Sequence, residues 1–152
     1  MKRLLVVHHT PSANTRELLD RALTAIGDID SELVLAVHDS LEADAHAVQA
    51  CDGILLATTE NFGAMAGRTK DFLERIYYPL GQSKAGLPIA CYIRAGEDGS
   101  GTRQGIQRIV TGLRWRWIQP PLVLKGSWSE QMAPEVEALA GTLAAGLSAD
   151  IF

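Results

Sequence analysis

Two adjacent histidines close an apolar run near the start of the chain, in LLVVHHTPSANTRELL (residues 4–19). His8 and His9 have the chemistry of metal ligands or proton carriers. Neighbouring residues of a strand point to opposite faces, however, so the pair cannot converge on one metal. His38 and His46 match no ligand spacing and read as solvated. The loop after the histidines, Thr10-Pro11-Ser12-Ala13-Asn14-Thr15, is the better candidate. It joins a strand to a helix, and a helix N-terminus offers unpaired amides and about half a positive charge. Thr10, Ser12, Asn14 and Thr15 can each add a side-chain donor, and the loop carries no Lys or Arg before Arg16. That is the chemistry of a phosphate held by neutral donors. The Gly-Lys-Ser/Thr of a Walker loop and the G-x-G-x-x-G of a dinucleotide loop are both missing. A plain N-cap turn is the other reading of these residues.

A loop of this kind needs a strand before it and a helix after it, and the chain repeats that unit throughout. Apolar runs at 3–9, 32–38, 53–59, 87–93 and 121–126 read as strands. Amphipathic stretches read as helices at 14–27, at 40–51 with Ser40 as N-cap, at 67–80 with Pro79 ending it, and at 134–147. A further helix begins at Ile106, after the glycine-rich stretch RAGEDGSGTRQG (94–105). Strict alternation of five strands and five helices implies one doubly wound domain, 1–152, with a parallel sheet covered on both faces. Ligands of such sheets bind beyond the carboxyl ends of the strands, where strand order reverses. The loops that matter are then 9–15, 58–66 and 94–101.

Composition narrows the partners. The 152 residues are 47% hydrophobic and 21% charged with a formal charge of −4, so no basic excess is present for a nucleic acid or an anionic membrane. No apolar run reaches the ~18–20 residues needed to cross a bilayer. MKRLLVV begins like a signal peptide, but its short apolar run meets His-His and reads as a strand. Cys51 and Cys91 match no metal spacing and read as two buried thiols of a cytoplasmic protein. RWRW (114–117) reads as two packed Trp and two projecting Arg rather than a nucleic-acid surface, and the tyrosines of IYYPL (76–80) suit either the core or a subunit contact.

The second loop makes a resemblance specific. TTENFGAMAGRTKDFLER (58–75) resembles the flavin-ring loop and following helix of the flavodoxin-like reductases, a pattern close to T-P-x-x-F-G-x-M-x-G-x-x-K-x-F-L-D-R. The matching residues are Thr58, Phe62, Gly63, Met65, Gly67, Lys70, Phe72, Leu73 and Arg75. CDGILLATT before them is similar to the family's A-D-G-I-I-L-G-T, and Thr10 to Thr15 resembles its phosphate loop S/T-x-T-G-N-T. RAGEDGSGT stands where the third flavin loop would stand, so the resemblance follows the whole chain in order. It implies a flavodoxin-like five-stranded parallel sheet of order 2-1-3-4-5 with helices on both faces. It also implies FMN as cofactor, with Thr10, Ser12, Ala13, Asn14 and Thr15 at the phosphate. Thr58, Thr59, Glu60, Asn61, Phe62, Gly63, Ala95, Gly96 and Glu97 would then lie around the isoalloxazine ring. No side chain need be catalytic, because the flavin carries the chemistry.

Two departures stand out: Ala13 replaces the family's phosphate-loop Gly, and Thr59 its ring-loop Pro. Glu60 is a second point of interest. It is either a solvated carboxylate or one near the flavin that lowers its potential. Electron-carrying flavodoxins typically sandwich the ring between aromatic side chains and carry a strongly acidic surface. Here the third loop has no aromatic, the second only Phe62, and the net charge is mild. One ring face is therefore expected to be open to a second planar molecule. The resulting expectation is an NAD(P)H-dependent reductase of a quinone, a flavin or a similar acceptor. Its partners are the small-molecule donor and acceptor, with no nucleic acid and no membrane, and a homodimer or homotetramer is compatible with it. A non-enzymatic FMN electron carrier, or a flavodoxin-shaped binding domain that has lost FMN, are the alternatives.

Overall fold

The computed structural model describes residues 1–152. Along them run β1 (Arg3–His8), α1 (Ala13–Ile29), β2 (Val34–Asp39), α2 (Ala45–Gln49), β3 (Gly53–Asn61), β4 (Ala64–Met65), α3 (Gly67–Leu80), β5 (Pro88–Ala95), α4 (Ser100–Leu113), β6 (Arg116–Trp117), β7 (Leu122–Lys125) and α5 (Met132–Ser148). The sheet runs β2-β1-β3-β5, all parallel. Its far edge differs from the expected five-strand order. The short β6 pairs with the start of β5 at Pro88 and Ile89, and β7 pairs with its end from Tyr92 to Ala95. Two strands therefore share one edge, and the two-residue β4 adds an antiparallel hairpin to β3. The α/β class, with helices on both faces, is as expected.

Strand residues are apolar in unbroken runs because both faces are covered. Leu4, Val6, Leu55, Ala57, Ala90 and Tyr92 face α1 and α5, while Leu5, Val7, Ile54, Leu56, Ile89, Cys91 and Ile93 face the α2–α3–α4 side. Each fully buried Leu, Ile or Val contributes roughly 1.5–3 kcal/mol, so the two half-cores hold the strand ends firmly where the loops begin. Both cysteines lie in this interior and are unpaired, and burial pushes the Cys51 thiol up to about 11 and the Cys91 thiol higher still.

Three element boundaries depart from expectation for identifiable reasons. The helix expected over 40–51 shrinks to α2, capped by Asp44, whose Oδ1 accepts the Ala47 N–H at 2.8 Å. Arg75 of α3 accounts for the lost turn, because its guanidinium donates to the carbonyls of Ala43 and Ser40, each at 2.7 Å. The helix expected from Ile106 begins at Ser100 instead. Glycines that read as a loop form its first turns. In the RWRW stretch, Arg114 ends α4 with a left-handed backbone (φ 59°), Trp115 is buried and Trp117 partly buried. Arg116 stacks over the Phe152 ring, 5.9 Å from its centroid. No helix is long and apolar enough to cross a membrane.

Candidate functional site

Three loops meet beyond the carboxyl ends of β1, β3 and β5. At the first, Ser12 caps α1 reciprocally with Thr15. The Ser12 Oγ accepts the Thr15 N–H at 3.2 Å, and the Thr15 Oγ1 accepts the Ser12 N–H at 3.0 Å. The first intrahelical bond runs from the Arg16 N–H to the Ser12 carbonyl at 3.0 Å. The amides of Ala13 and Asn14, at the first two helical positions, thus have no intrahelical acceptor and are free for a ligand. Ala13 needs no left-handed backbone, and its exposed side chain lies outside the cleft lining. The methyl that departs from the family pattern therefore brings no strain. Thr10 faces the other way, with its Oγ1 3.0 Å from His8 Nδ1.

The second loop is a hairpin. β3 continues to Asn61, turns at Phe62 (φ 54°) and Gly63 (φ 77°), and returns as β4. Two left-handed residues make the tight turn whose twist suits a hairpin. Phenylalanine is a poor occupant of such a position, and its ring is wholly exposed at the tip, at 106% of reference. The hairpin leans on the first turns of α4. A Cβ on Gly101 would lie 1.9 Å from the Gly63 carbonyl oxygen, and one on Gly105 would lie 2.9 Å from Met65 Cε. This close approach is why the start of α4 is built of glycine.

The third loop is short, because β5 runs to Ala95 and Gly99 (φ 66°) already caps α4. Glu60 ties it to the second loop: its carboxylate accepts the Gly99 N–H at 2.8 Å and the Glu97 N–H at 3.1 Å. Glu60 is therefore neither simply solvated nor free. Thr59 Oγ1 donates to Asn61 Oδ1 at 2.6 Å.

Between the loops lies an open cleft of about 290 Å³ lined by Pro11, Ser12, Asn14, Thr15, Thr59, Glu60, Asn61, Arg94 and Gly96. Ser12, Asn14, Thr15, Thr59, Glu60, Asn61 and Gly96 were expected there from sequence. Ala13 and Glu97 are not among its lining residues, and the Glu97 amide is taken by the Glu60 carboxylate. Thr58 lies on the opposite face of the sheet, buried and hydrogen-bonded to Thr69. Ala95 is buried at the end of β5, and Phe62 and Gly63 form the hairpin tip. A larger groove, about 650 Å³, follows the outer surfaces of α1 and α5 through Thr24, Ala138 and Gly141. It lies along the middles of two helices, where backbone amides are already used, so the loop cleft is the stronger candidate.

Arg94 is the lining residue that sequence reasoning missed. The phosphate site was expected to rest on neutral donors near Thr10 to Thr15, yet a guanidinium enters the cleft from a strand 80 residues further on. The only signal was a lone cation closing an otherwise apolar run, IACYIR.

His8 and His9, at the end of β1, are both held below the usual imidazole range. Burial is the main cause for each; the Arg68 guanidinium adds to it at His9, and Asp39 opposes it at His8 without overcoming it. A histidine that resists its proton when folded takes it up on unfolding, so stability must fall as pH drops. The stabilisation is complete above the unfolded value of about 6.5 and is lost as the pH falls below it. Urea unfolding followed between about pH 7.5 and 5 should show the midpoint declining over that window, and a His8→Gln, His9→Gln double variant should show a flatter profile. An unchanged slope would remove the histidines from this account.

No family profile and no curated protein matches the chain. Solved structures do match in shape. A flavodoxin from the domain Archaea superposes with a TM-score of 0.78 at 14% identity, over 96% of this chain and 99% of that one. A WrbA-like flavodoxin protein from Agrobacterium tumefaciens gives 0.74 at 13% identity, over 98% and 99%. Rubredoxin oxygen:oxidoreductase from Desulfovibrio gigas gives 0.80 at 11% identity; the match covers 99% of this chain but only 37% of that longer one. The fold is flavodoxin-like, and at these identities the likeness is one of fold.

Proposed function

We propose that the chain is a flavoprotein that holds FMN in the loop cleft and works as an NAD(P)H-dependent reductase of a quinone, a flavin or a similar acceptor. One observation carries the reading: the free amides of Ala13 and Asn14, the β3–β4 hairpin and the loop 96–99 converge on one cleft at the carboxyl edge of a flavodoxin-like sheet. The donor set fits the group. The amides at the start of α1, with Ser12, Asn14 and Thr15, suit a phosphate monoester, and the backbone of Thr59 to Gly63 with that of Gly96 suits the polar edge of a planar ring. When bound, FMN supplies the transfer of one or two electrons, including hydride uptake. The chain's own work is to hold, orient and partly cover the ring. Its third loop has no aromatic side chain and Phe62 projects into solvent, which favours an uncovered ring face where a second planar molecule can stack.

Purified protein incubated with excess FMN and then desalted should stay yellow, and NADH or NADPH added without oxygen should bleach it. Protein that is colourless after desalting overturns the flavin reading. A second reading, an electron carrier serving a protein partner, draws on the exposed Phe62 ring beside the cleft, a contact of the kind interfaces use. It predicts a yellow protein that dithionite bleaches and NAD(P)H does not.

A further inference from the structure

We infer that Arg94 is the specificity residue of the cleft, binding the phosphate of the ligand and selecting FMN over unphosphorylated riboflavin. The inference rests on the flavin reading and adds to it a residue outside the phosphate loop. Arg94 lies next to the end of β5, in register with Thr59 of β3, and lines the cleft together with Ser12, Asn14 and Thr15. It lies two residues after Tyr92, which packs on the α1 side of the sheet, so strand alternation turns it toward the helix whose first amides are free. Its Nη1 is fixed by two carbonyls, Ala95 at 2.8 Å and Leu124 at 3.1 Å. Neither bond neutralises the charge, and both leave the Nη2 and Nε edge of the fork for a ligand.

The chain's ion pairs are Lys2–Asp150, Arg21–Glu137 and Arg75–Asp71, so Arg94 has no counter-ion. Glu60, the one carboxylate lining the cleft, is committed to the amides of Gly99 and Glu97. A half-buried cation held in place without a partner is costly, and an anion in the cleft offsets that cost. A planar guanidinium suits two phosphate oxygens at once, and the start of α1 favours negative charge at the same end. A neutral hydroxyl in place of the phosphate forgoes both.

Titration of FMN and of riboflavin, read by quenching of flavin fluorescence, tests this on wild type, Arg94→Gln and Arg94→Lys. Wild type should prefer FMN. Arg94→Gln should weaken FMN about 10-fold to 100-fold, the range of a charge-assisted hydrogen bond, and leave riboflavin unchanged, which also shows that the variant is folded. Arg94→Lys should fall between the two, keeping the charge and losing the fork. Equal weakening of both flavins would overturn the inference and leave Arg94 as a tie between β5 and β7. Unchanged FMN binding in Arg94→Gln would overturn it as well. Wild type that binds neither flavin would overturn the flavin reading along with it, a result distinct from either of these.

Discussion

Replacing Gly101 by alanine is expected to destabilise the chain by about 2 kcal/mol and to weaken flavin binding by about 10-fold or more, although alanine is the better helix former. The added methyl would fall 1.9 Å from the Gly63 carbonyl oxygen and 3.2 Å from its carbon, inside any real contact distance. Neither partner is a flexible side-chain end. The clash can be relieved by lifting the hairpin away from α4 or by unwinding the first turn of α4. The first displaces Asn61 and Phe62, and the second displaces Gly99, which anchors Glu60. Both reach the cleft. Gly27→Ala is the control. It sits exposed in α1 with nothing within 4 Å of an added Cβ, so it should gain roughly 0.5–1 kcal/mol from helix propensity and leave binding alone. Urea unfolding and a flavin titration on both variants decide the matter. A Gly101→Ala protein as stable as wild type, with wild-type flavin affinity, would mean that the hairpin does not lean on α4 in solution.

The same glycine shows where sequence reasoning reached and where it stopped. α3 is legible to the residue, 67–80, because Phe72, Leu73, Ile76 and Leu80 recur at helical spacing and are all buried. The strands that become β1, β3 and β5 are legible as unbroken apolar runs, since burial on both faces leaves no alternation to misread. The start of α4 was not legible. Gly99, Gly101 and Gly105 carry a local loop signal, and only the folded chain explains them: a side chain on Gly101 would meet the hairpin, nearly 40 residues earlier in the chain, and one on Gly99, the left-handed N-cap, would meet Val123 of β7. Ser40 was a reasonable cap by type, but Arg75, 35 residues away, holds its carbonyl out of a helix. The candidate loops were readable because strand ends and turn chemistry are local properties. Arg94 and the Glu60 bridge were not, because each depends on a partner that only the folded sheet brings near.

That bridge carries the second large expected effect. Glu60 spans 37 and 39 residues to the Glu97 and Gly99 amides, and no other side-chain hydrogen bond joins the hairpin to the third loop. Hydrogen bonds to a charged group contribute about 1.5–3 kcal/mol each at full strength, and rather less for a half-buried carboxylate. Glu60→Ala should therefore lower the local opening free energy of loop 96–99 by about 2–3 kcal/mol, which appears as amide exchange at Glu97 and Gly99 accelerated about 30-fold to 150-fold. Glu60→Gln should be intermediate, since its amide oxygen replaces one accepted bond and its NH2 opposes the other donor. With the loop released, flavin affinity should fall about 10-fold. The bound flavin's reduction potential should rise in both variants, because a negative charge nearby opposes electron uptake. The sign of the affinity change separates two roles for the carboxylate. Weaker binding means that Glu60 holds the third loop in its ligand-ready position, which is the expected result. Tighter binding would mean that the carboxylate occupies the very amides a ligand needs, and that the cleft is plugged by its own side chain until the ligand displaces it. Wild-type exchange rates in Glu60→Ala would show that neither amide depends on the bridge.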